Sequence, residues 1–330
     1  MITSSDLIEI PVPDEVIASA TNLVKHMLLS QKIPHQTNPI TILTLRNLAL
    51  HISTNLLFRR YLSQNQIPFT ISNGSQGGEE LWPTIAIGGR RCNMNCRFSA
   101  KPEWDVDDEP NPTSLLKEDI SLPKHHDALK NDGRETIEVF SALIVDSKRA
   151  NLSIGELAKR GENLFLINIL ENMHEINWEA AGGQIEFYYE GENDLILEVG
   201  GLDEKFNPIT ESIHFGFHKR AFTKSVFSRV IYLTANTLPE KSISLSLGAA
   251  KKIFLPVSSW GSLWLRVTTC VFFGFLHSTD LRQRFDKLIR TNTSYRINWF
   301  RTEKHKISVL ELNPLPKLFG IAKMIDQPKQ

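Results

Sequence analysis

The chain is poor in cysteine, with three in 330 residues. So small and odd a number argues against a disulfide framework and fits a reducing compartment. Long apolar runs are also missing. The most apolar stretch, 257–276, contains Arg266 and several Ser, Thr and Gly residues, short of the roughly 18 apolar residues a membrane span needs. The opening MITSSDLIEIPVPDE has neither the basic nor the apolar region of a signal peptide. A cytoplasmic chain without membrane contact is the expectation. No internal repeat, phosphate-cradling P-loop or dinucleotide fingerprint occurs: SNGSQGG, 72–78, lacks the lysine and the following helix. No nucleophile elbow supports Ser-His-Asp catalysis.

What is present is the composition of an ordinary globular protein, 41% hydrophobic and 22% charged. The length suits one large domain or two ordinary ones. A formal charge of zero conceals a division: residues 213–330 carry 19 Lys/Arg against 6 Asp/Glu, net +13, and residues 1–212 are net −13. The asymmetry predicts either a polyanion partner for the back third or two complementary surfaces that attract each other. The predicted division is an acidic front part, 1–212, with an acidic insertion loop at about 99–116, and a basic part, 213–330.

Hydrophobic spacing orders the chain. LIEIPVP predicts a short strand, Asp14 to about Gln31 a capped helix, and Pro39 to Asn65 a longer one burying Ile42, Leu45, Leu48, Ala49, Ile52, Leu56 and Leu62. IPFTI predicts a strand, 114–129 a helical turn bending at Pro123, and Thr136–Val145 a buried strand. Ser153 and Glu156 make a capping box. LFLINIL is a buried strand, and QIEFYYE with DLILEV a hairpin around GEND. Lys219–Thr237 predicts a helix with Phe222, Val226, Val230 and Leu233 on one side. ISLSL predicts an edge strand, SLWLRVTTCVFFGFL buried strand, DLRQRFDKLIR a short helix, and YRINWFR and ISVLEL strands before a fraying end.

The most informative stretch is WPTIAIGGRRCNMNCRF, Trp82–Phe98. Gly88-Gly89 predicts a tight turn between two strands, since glycine adopts φ > 0 without steric penalty. Alternation along the second strand puts Cys92, Met94, Cys96 and Phe98 on one face and Asn93, Asn95 and Arg97 on the other. This layout resembles the catalytic hairpin of the PD-(D/E)XK, or restriction-endonuclease-like, nucleases. Pro83 stands at the motif's proline, but Thr84, Asn93 and Asn95 replace its two acids and lysine. The resemblance implies an α/β fold: a restriction-endonuclease-like core with a mixed β-sheet flanked by helices, here followed by a basic α+β C-terminal portion. It covers about residues 39–170. In that family two acids hold a divalent cation and a lysine assists the attacking water. Mg²⁺ takes carboxylates together with water and phosphate oxygens. Amides and a hydroxyl lack the charge, so no catalytic residue and no metal ligand is expected, and no cofactor. Mg²⁺ enters only if acids have relocated, the candidates being Glu79, Glu80 and Glu138.

Other chemistry-bearing residues give weaker signals. Cys92 and Cys96 lie about 13 Å apart at ~3.3 Å per strand residue, too far to share a zinc, and read as core. Asp105, Asp107, Asp108 and Glu109 read as a solvated acidic run, His125-His126-Asp127 as a surface turn, and His214 and His218 as too widely spaced for one ion. The basic third interleaves Phe215, Phe217, Phe222, Phe227, Tyr295, Trp299 and Phe300 with cations, the pattern by which nucleic-acid backbones and bases are gripped without sequence readout. Most of these aromatics read equally as core. The candidate phosphate contacts are Arg97, Lys219, Arg220, Lys224, Arg229, Arg282, Lys287, Arg290, Arg296 and Arg301. The expected function is a catalytically silent nuclease-fold protein that binds DNA, RNA or a nucleoprotein partner in genome defence or mobile-element biology. The alternatives are a divergent metal nuclease and a protein-interaction or scaffold subunit that docks on a partner or on itself.

Overall fold

A computed structural model describes residues 2–30, 40–72, 84–100, 119–121, 136–145, 152–159, 165–170, 183–215, 219–247, 252–263, 267–281, 283 and 306–325. The chain is α/β, with a mixed sheet and flanking helices. It divides into two units, each discontinuous in sequence. The first comprises Met1–Val16, Ser53–Ser147 and Val267–Gln330, the second Ile17–Ile52 and Lys148–Arg266. The predicted 212/213 boundary falls inside a strand, Pro208–His214. No helix among the described residues is long and apolar enough to cross a membrane.

The first unit is built on six strands: β1 (Ile8–Pro11), β2 (Thr70–Ser72), β3 (Thr84–Ile87), β4 (Arg90–Ala100), β6 (Thr136–Val145) and β16 (Val267–His277), in the order β1-β16-β6-β4-β3-β2. β5 (Asp119–Ser121) pairs separately with β17 (Lys306–Ser308), where the sequence predicts a helical turn for the first of the two. β4 and β6 are parallel and the other neighbours antiparallel. Two residues explain the β3–β4 turn: Gly88 and Gly89 sit at φ +56° and +74°, the left-handed values a two-residue hairpin needs. β6 lies between two partners with both faces covered, which is why TIEVFSALIV reads as an almost unbroken apolar run.

One face of β6 and β16 contributes Phe140, Ala142, Ile144, Val271, Phe273 and Leu276 to a core closed by Ile2, Leu281, Val309 and Leu312. On the other face, Phe58 of α2 (Ile42–Gln64) meets Phe272 with ring centroids 5.1 Å apart. A C-terminal helix, Leu315–Ile325, adds Phe319 at 6.4 Å from Phe58 and 5.9 Å from Tyr61. The sequence reading has this end fraying. Leu315, Leu318, Phe319 and Ala322 instead keep the i, i+3, i+4, i+7 spacing of a buried stripe. In α2 the predicted Leu45, Ala49, Ile52 and Leu62 are buried, and Leu50, Ser53, Thr54, Leu57 and Phe58 are buried beside them.

The second unit contains most of α1 (Asp14–Leu29), a short helix Ile154–Lys159 and two antiparallel sheets. One has the order β10-β9-β12-β7-β15 and the other β11-β8-β13-β14. They comprise β7 (Leu166–Ile169), β8 (Ile185–Tyr189), β9 (Ile196–Leu202), β10 (Pro208–His214), β11 (Arg220–Phe222), β12 (Arg229–Ala235), β13 (Ile243–Leu247), β14 (Ile253–Leu255) and β15 (Gly261–Ser262). Inward residues of both sheets, among them Phe187, Leu245 and Leu255 from one and Leu197, Val199 and Leu233 from the other, share one core. The expected capping box is present: Ser153 Oγ accepts from the Glu156 amide at 3.2 Å, and the Ser153 amide donates to Glu156 Oε2 at 2.8 Å.

Three expectations are corrected here. β8 and β9 are strands but not a hairpin: around GEND the chain leaves one sheet for the other. Lys219–Thr237 is two strands rather than a helix. Val230, Ile231, Tyr232 and Leu233 are all buried in succession, whereas Phe222 and Val226 of the supposed helical stripe are exposed. ISLSL is not at an edge, since β13 lies between β8 and β14.

Candidate functional site

The parallel register of β4 and β6 sets Asn93 beside Glu138 and Asn95 beside Phe140. Both asparagines reach the same carboxylate. Asn93 Nδ2 donates to Glu138 Oε1 at 2.7 Å and Asn95 Nδ2 to Oε2 at 2.7 Å. Glu138 is 3% exposed. An ionised carboxylate only accepts hydrogen bonds, so each amide must turn its NH₂ toward it. A charge buried this far is tolerated only when well hydrogen-bonded, and these two short, charge-assisted bonds supply much of that.

The structure therefore brings together Asn93, Asn95 and one of the three proposed relocated acids, Glu138. Thr84 begins β3, one residue before the Ile85–Cys92 pair. Glu79 and Glu80 lie outside the described residues, as do Asp105, Asp107, Asp108, Glu109, His125, His126, Asp127 and His218. His214 is exposed at the end of β10. Arg97 shares the Asn93–Asn95 strand face and is half-buried, its guanidinium carbon 5.7 Å from the centroid of Phe273.

This donor set does not suit Mg²⁺. Its single carboxylate has both oxygens engaged by NH₂ groups, and its amide oxygens point away from that carboxylate. A hard dication selects oxygen ligands, usually one or two carboxylates with water. Among the described residues no group of three or more His, Cys, Asp or Glu side chains converges as a metal site. Cys92, Cys96 and Cys270 are free thiols. Burial pushes the Cys92 thiol up to about 12; the charge of Glu138 adds to the rise, and a backbone hydrogen bond at Ile87 opposes it. Burial likewise raises Cys96 and Cys270, so none is a thiolate nucleophile near neutral pH.

Four of the other predicted phosphate contacts lie in the second unit. Lys219, Arg220 and Lys224 belong to the second unit and are exposed, around β11. Arg229 is half-buried on β12. Arg282, Lys287, Arg290, Arg296 and Arg301 lie outside the described residues, together with Phe217, Tyr295, Trp299 and Phe300. Phe215 and Phe227 are core, each 1% exposed, while Phe222 is 58% exposed.

Sequence reasoning missed a second polar cluster. Lys25 Nζ stands 2.8 Å from Glu198 Oε1, and the Tyr232 hydroxyl donates to the same oxygen at 3.1 Å. Burial, reinforced by the Glu198 charge, pushes the Tyr232 phenol up, so it stays protonated as a structural donor. No short motif links residues 25, 198 and 232; only strand pairing and helix placement bring them together.

The chain matches no protein-family model, no curated protein and no solved structure.

Proposed function

We propose that this protein is a catalytically silent, nuclease-like binder of nucleic acid or of a nucleoprotein. The observation that carries the reading is the commitment of Asn93 and Asn95 to Glu138. At the positions where the resemblance calls for an acid and a lysine, two neutral amides instead satisfy a buried carboxylate. The chain order α2, β2, β3–β4, β6, with these strands in one mixed sheet, supports the helix, strand, hairpin, further core strand that the resemblance implies. The net +13 of residues 213–330 supports a polyanion as ligand.

Fluorescence anisotropy with labelled DNA and RNA between 50 and 200 mM salt tests the binding half. Affinity should fall as salt rises, with a log–log slope of about −0.7 to −0.9 per phosphate neutralised. No binding at the lowest salt would defeat it. The position of Glu138 between Asn93 and Asn95 favours a second reading, a divergent nuclease in which both amides turn their oxygens toward a cation. Plasmid nicking in Mn²⁺ that disappears in Glu138→Gln would establish that reading in place of the first.

A further inference from the structure

The sheet β11-β8-β13-β14 buries one face in the core of the second unit; on the other, Ser244 is buried and Glu186 and Tyr188 are half-buried between exposed residues of β11 and β14. β8 alternates, with Ile185, Phe187 and Tyr189 buried and Glu186 and Tyr188 directed outward. Register extends that outer face across the sheet. Arg220 of β11 stands opposite Tyr188, and Phe222 opposite Glu186. Ser244 of β13 is opposite Tyr188, Ser246 opposite Glu186, and Phe254 of β14 opposite Ser244. Two phenylalanines thus lie in the open on one sheet face, Phe222 58% and Phe254 65% exposed. The remaining aromatic is not bare. Arg220 lies over one part of the Tyr188 ring at 6.0 Å from its centroid, and Lys252 approaches it at 5.4 Å. Cation–π attraction of this kind holds two cations at the centre of the face.

We infer that this outer face is a binding site for single-stranded nucleic acid, with Phe222 and Phe254 as stacking platforms for bases and Arg220 and Lys252 as phosphate contacts. The inference rests on the nucleic-acid reading above and gives it a location and a strand type. Its warrant is a match of chemistry. Sequence-tolerant binding of single strands combines exposed aromatic rings with cations that follow the backbone. A base enclosed in a duplex offers no free face to such rings, whereas an unpaired base does. Phe254 is two strands from Tyr188, about 10 Å at the usual strand spacing, and Phe222 is its diagonal neighbour, about 7–8 Å away. The rings therefore flank the cation pair instead of forming one continuous greasy patch.

Charge is complementary to a polyanion. Besides Arg220 and Lys252, exposed Lys219 and Lys224 stand at the two ends of β11. Among the described residues, Glu186 lies 3.5 Å from Arg220, Glu190 accepts from the Tyr188 hydroxyl, and Glu211 accepts from the Lys224 amide at 2.6 Å. Arg220 keeps a side-chain exposure of 71% beside Glu186, so its guanidinium remains open to a phosphate.

The test compares a labelled 12-nucleotide single strand with its duplex, by anisotropy at 50 mM salt, on the full chain. The proteins are wild type, Phe222→Ala/Phe254→Ala, and the conservative Phe222→Tyr/Phe254→Tyr pair. The expected result is preference for the single strand, a loss of about 10-fold or more per ring removed, and near-wild-type affinity in the Tyr pair. Equal thermal melting of the variants shows that the fold is unaffected, as expected for two solvent-facing side chains. Unchanged single-strand affinity in the Ala pair, or a preference for duplex, overturns this site while leaving nucleic-acid binding in place. Absence of binding by the wild type overturns both. A concentration-dependent dimer that the Ala pair abolishes, with oligonucleotide affinity unaltered, assigns the face to self-association and also overturns it.

Discussion

Removing the amides that hold Glu138 should expose the energetic meaning of the altered hairpin. Asn93→Ala and Asn95→Ala each delete one 2.7 Å bond to a carboxylate that is 3% exposed. A hydrogen bond to a charged group contributes about 1.5–3 kcal/mol, and the buried acceptor it abandons keeps its desolvation cost. Each single variant should therefore lose about 1.5–3 kcal/mol, a fall in Tm of about 3–10 °C for a cooperative unit of this size. Glu138→Ala forfeits both bonds but no longer buries a charge, so adding Asn93→Ala to it should cost little more. The resulting coupling energy in the double-mutant cycle is about 1.5–3 kcal/mol. Urea titration followed by circular dichroism measures all four corners, with an unchanged m-value showing that compactness is preserved. Single losses below about 0.5 kcal/mol, the range of ordinary surface substitutions, together with zero coupling, would refute the argument. So would a Mg²⁺-dependent rise in Tm present in wild type and absent in Glu138→Gln. A site occupied at 100 times its Kd adds about 2.7 kcal/mol, which the same melt would register.

Three other outcomes follow from the geometry. Burial favours a protonated Glu211, but the amides of Lys224 and Ser225, at 2.6 and 2.8 Å, outweigh it and hold the carboxyl below its ordinary 4.5. A depressed folded pKa stabilises above the unfolded value and is lost as pH falls through the folded one. The urea midpoint should therefore drop more steeply below about pH 4.5 in wild type than in Glu211→Gln; parallel curves would contradict this. Cys92 and Cys270, both buried, should resist a disulfide reagent at pH 8 in the folded protein and react fully in denaturant, because burial also raises both thiols. Rapid native labelling would count against the packing. Gly89→Ala should cost about 1–2 kcal/mol for a left-handed φ alone. Gly88→Ala should cost about the same, since its Cβ would lie 3.2 Å from Cδ1 of Ile325, an exposed side chain free to shift, and a clearly larger loss would refute this.

The local signals in the chain were strong where one physical cause dominates. Gly88-Gly89 can hardly be anything but a tight turn. The unbroken apolar run of Thr136–Val145 marks a strand covered on both faces, and Ser153 with Glu156 marks a helix start. The same reading picked out Asn93, Asn95 and Glu138, but not that they touch. Their contact depends on the parallel register of β4 and β6, strands separated by 35 residues, and no local pattern encodes such pairing. Local spacing also misled at Lys219–Thr237. Phe222, Val226, Val230 and Leu233 fit a helical stripe, yet the tertiary fold buries Val230–Leu233 between sheet neighbours and turns Phe222 outward. β8 and β9 went to different sheets for the same reason. Alternation tells which side chains share a face, but only the packing of two sheets on one core decides which strand is the neighbour.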